Sequence, residues 1–597
     1  MGERRDANGI EDLSNGKSRS SDSHGIDEAK CILLTSNRGK SQELVDYISL
    51  RYNRLPIRRR TDPREYKRDG AIELQSARIA GLRNQAWIGI SVFVLGIWSA
   101  YELGLDIAAT DLRAVGVVAF GIAGCVGAIS ILRNWRTGFY FFLVWLLFED
   151  LARKYFGNGT ALFFGKDVLA ALTYVSLLIA IGRGREQTFR IPFSLPLLLF
   201  VWLAVVQIFN LNSPSIMYGL LGFKLYFFYV PLIWVGYALI RNDEDLRRFL
   251  VANAALSGVI SLLAIIQAIV GHSFLNPTQL APELQDLGSL DKITPISGQV
   301  FSLPTSVFVS AGRLSFYLII ATILNLGATG YLLLSTKKSR KFVLIAVGLV
   351  GGAVLFSGAR TAAVYSTASA LVFTVAFLWG APWRQREAHR MFKAVRRSFV
   401  AAALALAAIL LLFPDEAGSR VAFYAETLLP SSSSYEVGIR GWDYPINNLL
   451  SVFDGRNWIF GNGTGTASLG TQYVSKLLGQ RVPQLGVEEG YGSLIVEMGI
   501  IAPFLWLLWT GVLVYQSWKV VSRLRGTRFF PIAFAILWYA FLLLFPFTYA
   551  GLAPYQNYVD NAYLWLLLGV LFRLPNLLLT TPTAPSRHAV GRGGLEF

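Results

Sequence analysis

The stretch YGLLGFKLYFFYVPLIWVGYALI, residues 218–240, indicates the fold class. It runs for 23 residues with a single charged side chain, Lys224. A helix of about 20 apolar residues crosses the hydrocarbon core of a bilayer, so this run predicts a membrane-spanning helix. Similar runs recur along most of the chain, in which 53% of the 597 residues are hydrophobic and 16% are charged. The sequence therefore predicts an all-α polytopic integral membrane protein.

Apolar runs predict about 14 transmembrane helices. Their approximate bounds are 86–104, 114–132, 137–150, 166–182, 191–209, 218–240, 248–270, 314–335, 341–357, 361–380, 398–414, 491–517, 529–548 and 560–579. The predicted domains are a cytoplasmic basic tail at 1–85, helices 1–11 within 86–414, a large periplasmic loop at 415–490, helices 12–14 within 491–579 and a cytoplasmic tail at 580–597. No apolar segment opens the chain, so we expect no cleavable signal peptide.

The formal net charge of +17 has two interpretations. In a soluble protein such an excess would suggest binding to nucleic acid. Here the basic residues concentrate in alternate loops, among them RNWR at 133–136, TKKSRK at 336–341 and KVVSRLRGTR at 519–528. Basic loops stay on the cytoplasmic side of a membrane, which predicts that both termini are cytoplasmic. We predict a lipid bilayer as the environment and no nucleic-acid partner.

The histidines and cysteines are few and scattered. The sequence has four histidines and two cysteines, none of them in a spacing typical of a zinc site or a disulfide framework. No pair of acidic residues typical of a metal-dependent transferase stands in a predicted outer loop. We therefore predict neither a metal nor a cofactor.

Three cations break the charge pattern because they lie near the predicted outer ends of helices. They are Lys224, Arg313 and Arg360. Such residues can reach lipid headgroups or pair with a local carboxylate. Alternatively, the three converge on one anion, since Arg presents a planar fork to phosphate oxygens and Lys adds a point charge. A lipid-linked diphosphate would enter at this depth.

Three glutamates lie in VEEGYGSLIVEMGI, residues 487–500, where an apolar helix begins. Glu488 or Glu489 is a candidate general base for an attacking hydroxyl. The alternative is a solvated helix start, because acidic side chains are favoured near a helix N-terminus. Glu497 is predicted to have a structural role, in an ion pair with Lys224 or Arg313.

Four segments, in this order, carry a resemblance to a known family. They are SGARTA at 357–362, IRGWDYPINNLL at 439–450, IFGNGTGTAS at 459–468 and VEEGYGSLIVEMGIIAP at 487–503. Together with the long outer loop, they resemble the O-antigen ligase and O-antigen polymerase-like membrane proteins of bacteria. The resemblance implies a GT-C-like fold in the bacterial inner membrane. It also implies metal-independent glycan transfer from undecaprenyl diphosphate to an acceptor hydroxyl at the periplasmic face.

The resemblance also implies roles for particular residues. The diphosphate would be bound by Arg360, which matches the motif, by Lys224 through its position and by Arg440 through its place in the loop. Arg313 is a further candidate diphosphate ligand through its charge placement alone. Ligases that act on lipid A core usually have a His-Asn pair where this chain has two glutamates. This departure favours a polymerase of repeat units, of O-antigen or exopolysaccharide, over a ligase. A polysaccharide transporter or flippase is the other alternative, and further polysaccharide assembly and export proteins are expected partners.

Overall fold

The computed structural model describes most of the chain from Leu112 onward. The described residues are 112–157, 160–187, 189–277, 287–335, 339–380, 393, 396, 411–454, 457–479, 487–545 and 552–580. The predicted tail at 1–85, the predicted span at 86–104, most of the span at 398–414 and nearly all of the tail at 580–597 lie outside them.

The described residues are predominantly helical. In chain order the helices are α1 Leu112–Arg133, α2 Trp135–Phe156, α3 Thr160–Gly182, α4 Ser194–Ile208, α5 Ile216–Phe227, α6 Leu232–Leu239, α7 Asp243–Val270, α8 Ala311–Ser335, α9 Arg340–Phe356, α10 Arg360–Gly380, α11 Pro414–Leu428, α12 Tyr444–Leu450, α13 Thr471–Leu478, α14 Gly490–Met498, α15 Ile501–Arg523, α16 Phe530–Leu544, α17 Ala553–Gln556 and α18 Tyr558–Thr580. A short antiparallel hairpin, β1 Asp291–Ile293 with β2 Val300–Ser302, lies between α7 and α8.

Seven helical segments among the described residues are long and apolar enough to cross a membrane. They are Leu162–Gly182, Ile216–Leu239, Asp243–Val270, Ala311–Ser335, Arg360–Gly380, Ile501–Arg523 and Tyr558–Leu579. The predicted all-α class is confirmed, and these apolar helices agree with a membrane protein. The total of 14 spans stays a prediction.

The core of the bundle is built around α8 and α18. Helix α8 packs against α9, α10 and α16, and α18 packs against α6, α15 and α16. Glycines let α6 and α18 approach closely. A Cβ on Gly236 would lie 2.0 Å from the carbonyl oxygen of Leu566, and a Cβ on Gly569 would lie 2.1 Å from that of Ile233. Helices in membranes commonly pack through small residues in this way.

Substituting Gly236 by Ala should destabilise the protein. The added methyl group has no space unless the two helices separate, and overpacking of this kind costs about 1–3 kcal/mol. Gly511→Ala in α15 is the matched control, since a Cβ there meets nothing within 4 Å. Thermal unfolding in detergent should show a lower midpoint for Gly236→Ala alone. Equal midpoints for the two variants would contradict the close crossing.

The predicted span at 491–517 is wrong as a single helix. Helix α14 ends at Met498, and α15 begins at Ile501. Between them Gly499 has a φ of 82°, and a Cβ there would lie 2.4 Å from the carbonyl oxygen of Ile459. Only glycine adopts this conformation beside a backbone so close, so the apolar run is broken at this residue.

Helix α11 is held against the membrane-side helices by one buried arginine. Arg420 Nε donates to the carbonyl oxygen of Phe356 at 2.9 Å, and its Nη2 donates to those of Ala268 and Ser302, both at 3.0 Å. These bonds join α11 to the ends of α9, α7 and β2. They fix α11 at the start of the large loop, and α11 leads directly into the segment that carries Glu436.

Candidate functional site

Arg360 begins α10, directly after a tight turn. Gly358 in this turn has a φ of 63°, and a Cβ there would lie 2.4 Å from the ring of Phe301. The guanidinium carbon of Arg360 lies 5.1 Å from the centre of the Phe423 ring, a cation–π contact with α11. Its Nη1 lies 2.6 Å from Oε2 of Glu436 in the large loop. Arg360 therefore connects a helix end to this loop.

Glu436 binds two arginines at once. Nε of Arg440 donates to the same Oε2 atom that Arg360 contacts. Burial alone would raise the pKa of Glu436, but the hydrogen bonds and charges of the two arginines lower it below its ordinary value. The side chains are 23% exposed for Arg360 and 43% for Arg440, so an anion can reach them. We call Arg360 and Arg440 the arginine pair.

Four polar residues recur at every fourth position between the arginine pair and the predicted base. Glu436, Arg440, Tyr444 and Asn448 follow one another at this interval. Glu436 lies just before the continuous helical stretch 437–450, and the other three residues lie on it. Side chains spaced in this way lie along one side of a helix. A π turn at Ile439–Asp443 interrupts the regular α-helix, and such turns are frequent at functional sites.

Tyr444 and Asn448 bind the two glutamates that precede α14. The hydroxyl of Tyr444 donates to Oε2 of Glu488 at 3.0 Å. Oδ1 of Asn448 accepts from the backbone N–H of Glu488 at 2.8 Å and from that of Glu489 at 2.9 Å. The helix that carries Arg440 thus also fixes both glutamates. We call Arg360, Glu436, Arg440, Tyr444, Asn448 and Glu488 the loop site.

The two neighbouring glutamates have different environments. Glu489 is buried, and its carboxylate caps α14 by accepting from the N–H groups of Tyr491 at 3.0 Å and Gly492 at 2.5 Å. Burial raises the pKa of Glu489 above its ordinary value. Glu488 is exposed. The geometry therefore favours Glu488 as the candidate base, whereas Glu489 is the N-cap residue of α14.

The raised pKa of Glu489 predicts a pH-dependent stability. An acid whose pKa is higher in the folded state stabilises that state fully below its ordinary pKa of 4.5, and the contribution is lost as the pH rises through the folded value. Glu489→Gln cannot ionise and should remove this dependence. We expect the difference in unfolding temperature between wild type and variant to change as the pH rises from about 4.5. A constant difference across this range would contradict the burial of an ionisable Glu489.

Lys224 and Arg313 lie, partly exposed, at the edge of an ionic cluster whose other members are buried in the helical bundle. Nζ of Lys224 lies 2.5 Å from Oδ2 of Asp167, and Nη1 of Arg313 lies 2.7 Å from Oδ2 of Asp150. The other members of the cluster are Glu149, Arg153, Lys154 and Lys166. The structure shows that these cations pair with local carboxylates, which is one of the two interpretations that their position in the sequence allowed. Their binding of a diphosphate stays a prediction.

Sequence reasoning missed Glu436 of the loop site and the carboxylates of the ionic cluster, Glu149, Asp150 and Asp167. The signal for the ionic cluster was FEDLARK at 148–154, four charged residues at the end of an apolar run. Charged residues inside such helices are rare and usually paired. Glu436 and Tyr444 had no comparable signal, because only the fold of the loop brings them to Arg360 and Glu488.

The predicted ion pair of Glu497 is wrong. Glu497 is fully buried, and its carboxylate accepts from the hydroxyl of Tyr226 at 3.0 Å and from the N–H of Ala467 at 3.1 Å. Lys224 and Arg313, the predicted partners, pair with aspartates instead. Neutral donors therefore satisfy this carboxylate. Its role is to join the loop to α5.

The glycine-rich segment at 459–468 caps the end of α14. The N–H of Asn462 donates to the carbonyl oxygen of Val496 at 2.8 Å, and that of Gly463 donates to the carbonyl oxygen of Glu497 at 2.9 Å. The last carbonyls of a helix lack partners within the helix and need such donors. The segment thus stabilises the C-terminal end of α14, the helix whose N-terminus directly follows the two candidate bases.

The loop site combines two partly exposed arginines with the exposed carboxylate of Glu488. This combination suits a reaction in which a hydroxyl loses a proton while a phosphate leaves. Within the described ranges, no group of three or more His, Cys, Asp or Glu side chains could hold a metal ion. Comparisons with protein-family models, with curated proteins and with solved structures found no match for this chain.

Proposed function

We propose that the chain is a metal-independent membrane glycosyltransferase that polymerises lipid-linked polysaccharide repeat units, of O-antigen or exopolysaccharide. The donor is a glycan on undecaprenyl diphosphate, and the acceptor is a sugar hydroxyl. Transfer takes place at the periplasmic face of the bacterial inner membrane, and both termini are cytoplasmic. The observation that carries the proposal is the connection of the arginine pair to the exposed Glu488 by a single helix of the large loop.

In the proposed reaction the acceptor hydroxyl attacks the anomeric carbon of the donor. A new carbon–oxygen bond forms, and the bond between the anomeric carbon and the diphosphate oxygen breaks. The electron pair leaves with the diphosphate, whose developing charge the arginine pair stabilises. The carboxylate of Glu488 takes the proton of the hydroxyl. The products are a longer lipid-linked glycan and free lipid diphosphate.

Glu436 has a defined part in this proposal. Its Oε2 atom occupies the position between the two guanidinium groups where a phosphate oxygen would bind. A diphosphate carries more negative charge than one carboxylate and presents several oxygens to the two arginines. We expect the donor to displace the Glu436 side chain from the arginine pair, so Glu436 keeps the arginines in place until the donor arrives.

Lys224 and Arg313 contribute to the proposal from the membrane side. Their side chains are 22% and 25% exposed, which leaves an approach for a lipid-linked phosphate. Each already has a carboxylate partner, so in this proposal they act through the positive potential of the ionic cluster, in which cations outnumber carboxylates, and attract the donor towards the protein. The arginine pair remains the principal diphosphate site.

Two other functions are the alternatives. A ligase to lipid A core would use the same loop site with a different acceptor. A polysaccharide transporter or flippase is favoured by the buried ionic cluster, because charged residues within membrane helices mark ion and substrate pathways. The loop site favours transfer over transport, because Glu436, Arg440 and Glu488 lie in the large loop and not within the apolar helices that would line a transport path.

Deletion of the gene distinguishes the three functions. Loss of a polymerase should leave single repeat units on the lipid carrier and at the outer face. Loss of a ligase should leave long polymer on the carrier, and loss of a flippase should leave single units at the cytoplasmic face. Purified protein in lipid should then elongate a lipid-linked oligosaccharide and release lipid diphosphate. Long carrier-bound polymer in the deletion strain would overturn the polymerase proposal.

A further inference from the structure

Helix α4 is too short to span a bilayer alone. Its 15 residues give a length of about 22 Å, whereas the hydrocarbon core is about 30 Å thick. Apart from Ser194 at its start, the exposed side of the helix is apolar, through Leu195, Leu198, Leu199, Trp202 and Val206. Such a face suits lipid. The helix is, however, about 8 Å shorter than the hydrocarbon core is thick, so it covers only part of the core.

Exposed apolar residues continue this face beyond the end of α4. Phe209 and Leu211 follow the helix and are 67% and 100% exposed. Beside them lie Ile459 and Phe460 of the glycine-rich segment, which are 51% and 73% exposed. These four side chains come from two parts of the chain that are distant in sequence. Because the Phe460 carbonyl is bonded to the end of α4, we group these four residues with the exposed side of the helix and call the group the extended α4 face.

Hydrogen bonds fix the glycine-rich segment to the end of α4. Nε2 of Gln207 donates to the carbonyl oxygen of Phe460 at 2.9 Å, and Nδ2 of Asn210 donates to the same oxygen at 3.1 Å. The N–H of Ile500 donates to the carbonyl oxygen of Ile459 at 3.4 Å. Backbone carbonyls that enter hydrocarbon need partners within the protein, and both of these have them.

We propose that Ile459 and Phe460 lie in the outer leaflet of the bilayer and complete the lipid-facing surface that α4 begins. The occupant of the extended α4 face is therefore lipid, because the exposed apolar residues follow directly after the lipid-facing side of a helix that is too short to cross the core. In water, two neighbouring apolar side chains at this level of exposure would form part of an unfavourable surface patch. The inference does not depend on the proposed glycosyltransferase activity.

Spin labels on the full chain test this placement. In a variant with Cys31→Ser and Cys125→Ser, single cysteines at Phe460 and Ile459 are labelled and the protein is placed in phospholipid nanodiscs. Leu198→Cys on α4 is the lipid control, and Ser433→Cys, at an exposed position of the large loop, is the aqueous control. The measured quantities are the accessibilities of each label to oxygen and to a water-soluble nickel complex.

We expect the labels at Phe460 and Ile459 to prefer oxygen, as the label at Leu198 does. Preference for the nickel complex, as at Ser433, would overturn the proposal in favour of water. Low accessibility to both reagents would overturn it in favour of a protein cover, from a second copy or another part of the chain. The two positions are independent, so failure of one variant to fold leaves the other to decide.

Discussion

Replacing Glu488 by Gln should lower turnover by about two to four orders of magnitude, the usual contribution of a general base. Gln keeps the shape of the side chain and an oxygen that can accept from Tyr444, so the loop should stay folded. The affinity for the donor should change little, because the arginine pair is intact. The measurement is the initial rate of polymer formation at saturating lipid-linked donor, with the purified protein in lipid.

Two variants separate loss of the base from loss of structure. Glu489→Gln alters the helix cap and should change stability more than rate, because its carboxylate faces backbone N–H groups. Tyr444→Phe removes the hydroxyl bound to Glu488 and should give an intermediate rate. A normal rate in Glu488→Gln and in the double glutamate variant would refute the assignment. The base would then have to be sought among Asp443, Asp454 and His272.

Arg360→Ala should lower the catalytic efficiency by about two to three orders of magnitude, as the loss of one preorganised donor to a developing anion does. Arg360→Lys should retain little activity, because an ammonium group lacks the planar fork that binds two phosphate oxygens. Arg248→Ala is the control. Its side chain is 68% exposed and pairs with Glu244, away from the loop site.

Glu436→Gln distinguishes a functional arginine pair from a structural ion pair. If the pair binds the donor, neutralising Glu436 removes a competing anion, and donor binding should be retained or strengthened. If the contacts only hold the loop to α10, Arg360→Ala and Glu436→Gln should lower the unfolding temperature alike, and the rate should follow the folded fraction. Equal effects on stability and rate in both variants would therefore refute the diphosphate site.

The sequence predicted the class of fold because apolar length is a local property. The run 314–335 corresponds to one long apolar helix, and the run 218–240 to the two consecutive helices α5 and α6, which together are long and apolar enough to cross a membrane. The break at Gly499 was not predicted, because hydropathy averages over a window and does not register one glycine. What requires this glycine is the carbonyl of Ile459, 40 residues earlier. Such a contact exists only once the loop has folded.

The candidate site was predicted unevenly for a similar reason. Arg360, Arg440 and Glu488 were found through charge placement and a resemblance of short segments. Glu436 was missed because nothing in the sequence pairs it with Arg360, which lies on another element. Glu497 was assigned to an ion pair because a buried carboxylate usually has a cation near it, but its donors are a phenol and a backbone N–H.

The break at Gly499 has a consequence for biogenesis. Helix α15 has 23 residues and a length of about 34 Å, so it can cross the bilayer without any contribution from α14. When the translocon inserts a helix with an acidic residue at its centre, that residue costs about 2.5–3.5 kcal/mol. Glu497 lies before the inserted segment, so this cost does not arise. The segment from Ile501 to Trp518 can therefore enter the bilayer without a charged side chain. The glutamates then find their hydrogen-bond partners when the large loop folds.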